Sequence, residues 1–210
     1  MRLSRAGWAL MTVLSLLVVL ISVHYFAFDS TTYFEQQREV FIRREVVLGL
    51  HISGAVLALL TGPWQFARSI RDRWPMVHRI VGRAYVVGCL VGGLAGLALS
   101  TTAHGGWVTS LGFAGLAIAW LGTTVVAFAM IRARRVKEHK KWMIRSFSLT
   151  FAAVTLRLML GAYEGFDLDI PFAHAYSAIA WLCWVPNLVV AWWHTSQRQE
   201  LVLARAAERP

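Results

Sequence analysis

Four histidines stand in or beside apolar runs, at positions 51, 78, 139 and 174, in a chain of 210 residues that is 57% hydrophobic and only 15% charged. Neutral imidazoles on facing helices can approach a haem iron from opposite sides, and the axial ligands and their hydrogen bonds then set its potential. With the helices alternating in direction, His78 and His139 belong to one end of a bundle, and His51 and His174 to the other. Each pair is therefore a candidate site for haem b, with His78 and His139 the tidier pair. Arg79, Arg83 and Arg145 lie close enough in sequence to the first pair to meet haem propionates. The plainer reading, a helix-end histidine that meets lipid headgroups or a carbonyl, stays open for all four. No i, i+4 histidine pair or His/Glu triplet points to an isolated metal ion.

Arg157 asks a different question. It lies inside an otherwise apolar run, 142–163, where an ionisable group is costly and normally faces a partner or a wet cavity. Glu164, two turns further on, is one candidate partner, and Asp167, Asp169 and Glu45 are others. A substrate anion or a quinone is the functional alternative. No Ser/His/Asp arrangement, phosphate-binding glycine loop or dinucleotide fingerprint is present.

The elements that position these residues follow from hydropathy. About 20 predominantly apolar residues cross the hydrocarbon core as a helix, and six stretches qualify: 7–28, 46–66, 80–100, 107–131, 142–163 and 172–194. The chain is thus expected to be all-α, a single integral membrane domain over 1–210. The first stretch follows Arg2 and Arg5 but is too long for an ordinary signal h-region, so a retained span is expected. Of the 21 Lys and Arg, only Arg38, Arg43 and Arg44 fall in the first, third and fifth connections, all three in the first, and only Arg157 falls within a span. The rest gather at the end that holds both termini, which predicts cytoplasmic termini in a bacterial inner membrane.

Smaller signals refine this frame. Residues 29–45 are expected to include a short interfacial helix over the outer mouth of the bundle. Gly88, Gly92 and Gly96 give the third span two overlapping small-xxx-small spacings, fit for close approach of another backbone or a flat cofactor. Pro186 predicts a kink in the sixth span, with Asn187 placed to satisfy a freed carbonyl or reach a neighbouring helix. The formal charge of +10 sits between apolar spans, which argues for anionic lipid as partner and against nucleic acid. Cys89 and Cys183 fall inside apolar runs, where a thiol acts as a small hydrophobe.

Taken together, His51 with GPWQF at 62–66, HRIVGRAY at 78–85, HKKWMIRSFSLTFAAVTLR at 139–157 and AWLCWVPNLVVAWW at 180–193 resemble a bacterial family of predicted membrane proteins, domain-of-unknown-function family 2306. The resemblance covers about 46–194 and implies a multi-helix membrane fold without an assigned activity. A looser likeness is to the six-helix di-haem transmembrane cytochromes that take electrons from ascorbate. There, histidines on the third and fifth helices hold one haem, and those on the second and fourth hold the other. His78 and His139 match the first pair and His51 one member of the second. The fourth span here has no histidine, so His174 would have to replace it.

Haem-dependent and haem-free functions follow. One is transmembrane electron transfer through haem b, fed by a small-molecule electron donor or quinone. The other is a haem-free transporter or small-molecule-binding protein built around Arg157, or an accessory subunit of a larger membrane complex.

Overall fold

The computed structural model describes residues 4–27, 35–166 and 169–207, without the side chains of 27, 36 and 198–207. Among these residues there is no strand. Six helical spans are long and apolar enough to cross a membrane: Arg5–Phe26, Glu45–Gln65, Pro75–Ser100, Trp107–Arg132, Val136–Gly165 and Phe172–Gln197. The α-helices within them, and two short connectors, are α1 (Arg5–Ser22), α2 (Arg38–Arg43), α3 (Glu45–Gln65), α4 (Arg68–Arg73), α5 (Pro75–Ser100), α6 (Trp107–Arg132), α7 (Val136–Thr150), α8 (Ala152–Gly165), α9 (Phe172–Leu182) and α10 (Val185–Ala207). Large apolar side chains such as Leu20, Leu94, Ile118, Leu158 and Val190 are more than half exposed. Such a surface is compatible with lipid and not with water, since soluble monomers rarely expose broad apolar patches.

The short helix expected before the second span is α2, preceded by a turn of 3-10 helix at Glu35–Gln37. The earlier part of that connection, 28–34, lies outside the described residues, as does Asp167. The third and fifth spans start a few residues sooner than hydropathy places them. Pro75 occupies the first turn of α5, where its missing N–H costs nothing. His78 and His139 therefore sit within the first turns of α5 and α7.

Helices α3 and α5 form the tightest pair. A Cβ built on Gly54 would lie 2.3 Å from the Gly92 amide nitrogen, and one on Gly88 2.8 Å from the Gly54 carbonyl oxygen. The glycine spacing of the third span thus serves backbone approach, as small residues do where helices associate in lipid. Gly96 has a second role, because a Cβ there would lie 2.9 Å from His51 Nδ1. It makes room for an imidazole.

The last two spans are each broken near mid-length. Between α9 and α10 the break precedes Pro186, as expected of a residue that cannot donate to the preceding turn. The fifth span breaks between α7 and α8 at Phe151, which hydropathy does not predict. Asn187 joins the two breaks: its amide donates to Cys183 O (3.0 Å) in its own span, and to Thr155 Oγ1 (3.0 Å) and Ser148 O (3.4 Å) in the other.

Candidate functional site

A cavity of about 240 Å³ lies in the half of the bundle away from the termini. All six spans wall it. Val18, Ser22 and Tyr25 come from the first, His51 and Ile52 from the second, Gly93, Gly96 and Leu99 from the third, Phe113 and Trp120 from the fourth, Thr150, Leu156 and Arg157 from the fifth, and Phe172 and Tyr176 from the sixth. Gln37, Val40 and Phe41 of the connection before the second span complete it, so this connection does cover that end of the bundle. Most of the wall is apolar, with a few polar groups, the usual make-up of a small-molecule site.

The polar groups have defined states. His51 Nδ1 lies 2.8 Å from Gly92 O. A carbonyl only accepts, so Nδ1 carries the proton and Nε2 keeps its lone pair. Tyr176 and Gln37 bring a hydroxyl and an amide to the same wall. The Arg157 guanidinium lies 5.8 Å from the centre of the Tyr25 ring, within reach of a cation–π contact, and close enough to His51 and Tyr176 for its charge to act on both. Among the described residues no ion pair joins Arg157 to Glu164, Glu45 or Asp169. Glu164 is exposed at the end of α8. Among the described residues, the cavity thus contains a permanent cation whose neighbours supply a π face and no carboxylate.

His174 takes no part in this wall. It is exposed on α9, two residues and about half a turn before Tyr176, and it is not among the residues that line the cavity with His51. The helical register explains this: positions 172 and 176 share the inward face.

At the other end, His78 and His139 come within electrostatic range of each other. His139 Nδ1 donates to Ala127 O at 2.9 Å, which leaves Nε2 as the acceptor. His78 has the opposite tautomer. The Gln65 amide, with its nitrogen turned toward His78, donates to Nδ1 (3.0 Å) and to the backbone oxygen (3.2 Å), while its oxygen accepts from Gly82 N (3.3 Å). Arg83 is exposed, and Arg79 donates from Nε to Pro75 O at 3.3 Å. Arg145 is buried and held by other means. Its guanidinium carbon stands 3.7 Å from the Trp192 ring centre and 4.6 Å from that of Trp142, and Nε and Nη2 donate to Thr195 Oγ1 at 3.2 and 3.1 Å.

Between the cavity and this end lies a hydroxyl network not anticipated from the sequence. Trp120 Nε1 donates to Thr150 Oγ1 (2.9 Å); the Tyr85 hydroxyl bonds Thr150 Oγ1 and Ser146 Oγ (2.9 Å each); Ser146 Oγ bonds Thr124 Oγ1 (2.7 Å). Tyr85 and Ser146 are fully buried. The available signal was the i, i+4 pair Ser146 and Thr150, which stacks two hydroxyls on one face of α7. The network satisfies every hydroxyl it holds and ties α5, α6 and α7 together at mid-depth. With Trp120 and Thr150 in the cavity wall, it also forms the cavity's floor.

Among the described residues no cluster of three or more His, Cys, Asp or Glu is placed to hold a metal ion. No curated protein and no solved structure matches the chain. A family model does match, over residues 48–195, a stretch that takes in five of the six spans and both ends of the bundle. The chain belongs to the family described as "Predicted membrane protein (DUF2306)".

Proposed function

We propose that this multi-pass membrane protein binds a small amphipathic molecule in the cavity walled by its six spans. The observation that carries this reading is Arg157, a cation inside the bundle with no carboxylate paired to it among the described residues. An intramembrane charge is retained at a cost of several kcal/mol unless something offsets it, and a charge left facing a cavity is offset by what enters. The distribution of Lys and Arg supports cytoplasmic termini in a bacterial inner membrane, so the cavity belongs to the outer half. The test is ligand-dependent stabilisation of the full chain in lipid nanodiscs, screened against carboxylates, quinones and alcohols of short chain. Saturable stabilisation by at least one, lost when Ile52→Trp fills the cavity, is the expected result; no response from any would overturn the reading.

Haem b between His78 and His139, with electrons passed from a small-molecule donor or quinone, is the second reading. The hydrogen bond from His139 Nδ1–H to a backbone carbonyl favours it, because iron-ligating histidines are oriented in this way. His78 would have to reverse its tautomer and Gln65 its amide. Protein expressed with ample haem would then show a reducible b-type absorption spectrum, lost in His139→Ala; folded protein without that spectrum removes the reading.

A further inference from the structure

We infer that the molecule taken up by the cavity is a lipophilic monoanion, a carboxylate on a single short or medium apolar chain, with its head on Arg157 and its chain among Leu48, Ile52, Leu99 and Leu156. This rests on the small-molecule reading above and names its ligand class.

The argument is one of charge and of donors. Arg157 supplies several N–H donors in a planar fork that matches a carboxylate, and it stays protonated at any ordinary pH. Among the described residues its partner in the cavity is the Tyr25 ring, 5.8 Å away, and no carboxylate pairs with it, so a negative charge on the ligand is what would offset it. A neutral quinone or alcohol leaves that charge in place. His51 sets the upper limit. Its Nδ1 proton is committed to Gly92 O at 2.8 Å, so this residue of the cavity wall keeps Nε2 as a lone pair, which would repel a second negative charge and accept from a water or a ligand hydroxyl. One guanidinium opposed by one imidazole acceptor suits a single negative charge, and this favours a carboxylate over a doubly charged phosphate ester. The apolar lining suits a hydrocarbon tail. The volume, about 240 Å³, lies just below the range of drug-sized sites, roughly 300–1,000 Å³, so the fitting chain is short.

The experiment uses the full chain in lipid nanodiscs and labelled octanoate, measured by equilibrium dialysis against empty nanodiscs. Competition with 1-octanol, methyl octanoate and octyl phosphate then separates charge from chain. Octanoate is expected to bind saturably at one per chain, with the neutral analogues at least about tenfold weaker, as loss of a hydrogen-bonded charge contact implies. Octyl phosphate should weaken further as it takes its second charge. Arg157→Met should lose octanoate while keeping octanol. Arg157→Lys, which keeps the charge and loses the fork, should retain an intermediate affinity and covers the case in which the methionine variant does not fold. Methyl octanoate or octanol competing as well as octanoate would overturn the monoanion and leave the small-molecule site standing. Octyl phosphate binding best would transfer the site to phosphate and overturn the carboxylate. No displaceable binding of any of the four overturns this inference, and the wider ligand screen then decides the reading beneath it.

Discussion

Arg145 and Arg157 stand on the same broken span, yet different things hold them. Arg145 lies against the rings of Trp192 and Trp142, which meet edge to face, and donates twice to Thr195. That arrangement uses the flat, delocalised cation, which an ammonium cannot reproduce. Arg145→Lys is therefore expected to destabilise the protein by about 1–2 kcal/mol, read as a lowered midpoint of thermal unfolding in detergent; an unchanged midpoint would mean that the tryptophans contribute only packing. For Arg157 the sequence names Glu164 as the nearest acid by helical register, but that carboxylate is exposed and makes no ion pair with it. Glu164→Gln should accordingly leave stability within about 0.5 kcal/mol. It should not rescue Arg157→Met in a double-mutant cycle, whereas rescue would reveal a pairing in solution that the structure lacks.

At the scale of the helices, close packing and breaks matter more than hydropathy. Gly54 faces backbone atoms of α5, with the Gly92 nitrogen 2.3 Å from where a Cβ would stand, while Gly122 on α6 has nothing within 4 Å of that point. Gly54→Ala must push two helices apart and is expected to cost about 1–3 kcal/mol; Gly122→Ala should be neutral or slightly stabilising. Equal effects of the two, measured by unfolding in the same detergent, would contradict the α3–α5 contact. The six spans, the glycine face and the Pro186 break were legible in the sequence because each depends on local composition. The break at Phe151 and the cavity were not, since each depends on which faces of separate helices meet. His51 and His174 illustrate the difference: both lie near the same end of the bundle, but register turns one inward and the other out. The same holds for the floor of the cavity, where Tyr85 meets Ser146 and Thr150 across more than sixty positions of sequence. Composition records only that these hydroxyls exist.

At the scale of the whole molecule, charge decides how the bundle lies in a bilayer. The apolar spans alone are compatible with either orientation, because each helix crosses equally well in both directions. The connections are not equivalent. Arg68, Arg71, Arg73, Arg132, Arg134, Arg135, Lys137, Lys140 and Lys141 lie at the end that holds the termini, against Arg38, Arg43 and Arg44 at the other. Basic residues in short loops are retained on the cytoplasmic side and meet anionic headgroups there, at about 1 kcal/mol for each residue near the surface. Orientation with the termini inside is therefore expected, and Arg157, His51 and the cavity then open from the outer half. Single cysteines provide the measurement, because the native Cys89 and Cys183 are fully buried and should stay silent. Thr101→Cys and Glu164→Cys, at exposed positions of one end, should react with a membrane-impermeant maleimide on intact cells. Asp72→Cys and Lys137→Cys, exposed at the other end, should react only after lysis. The reverse labelling pattern would invert the protein in the membrane and place the cavity and Arg157 in the cytoplasmic half, with the same six spans.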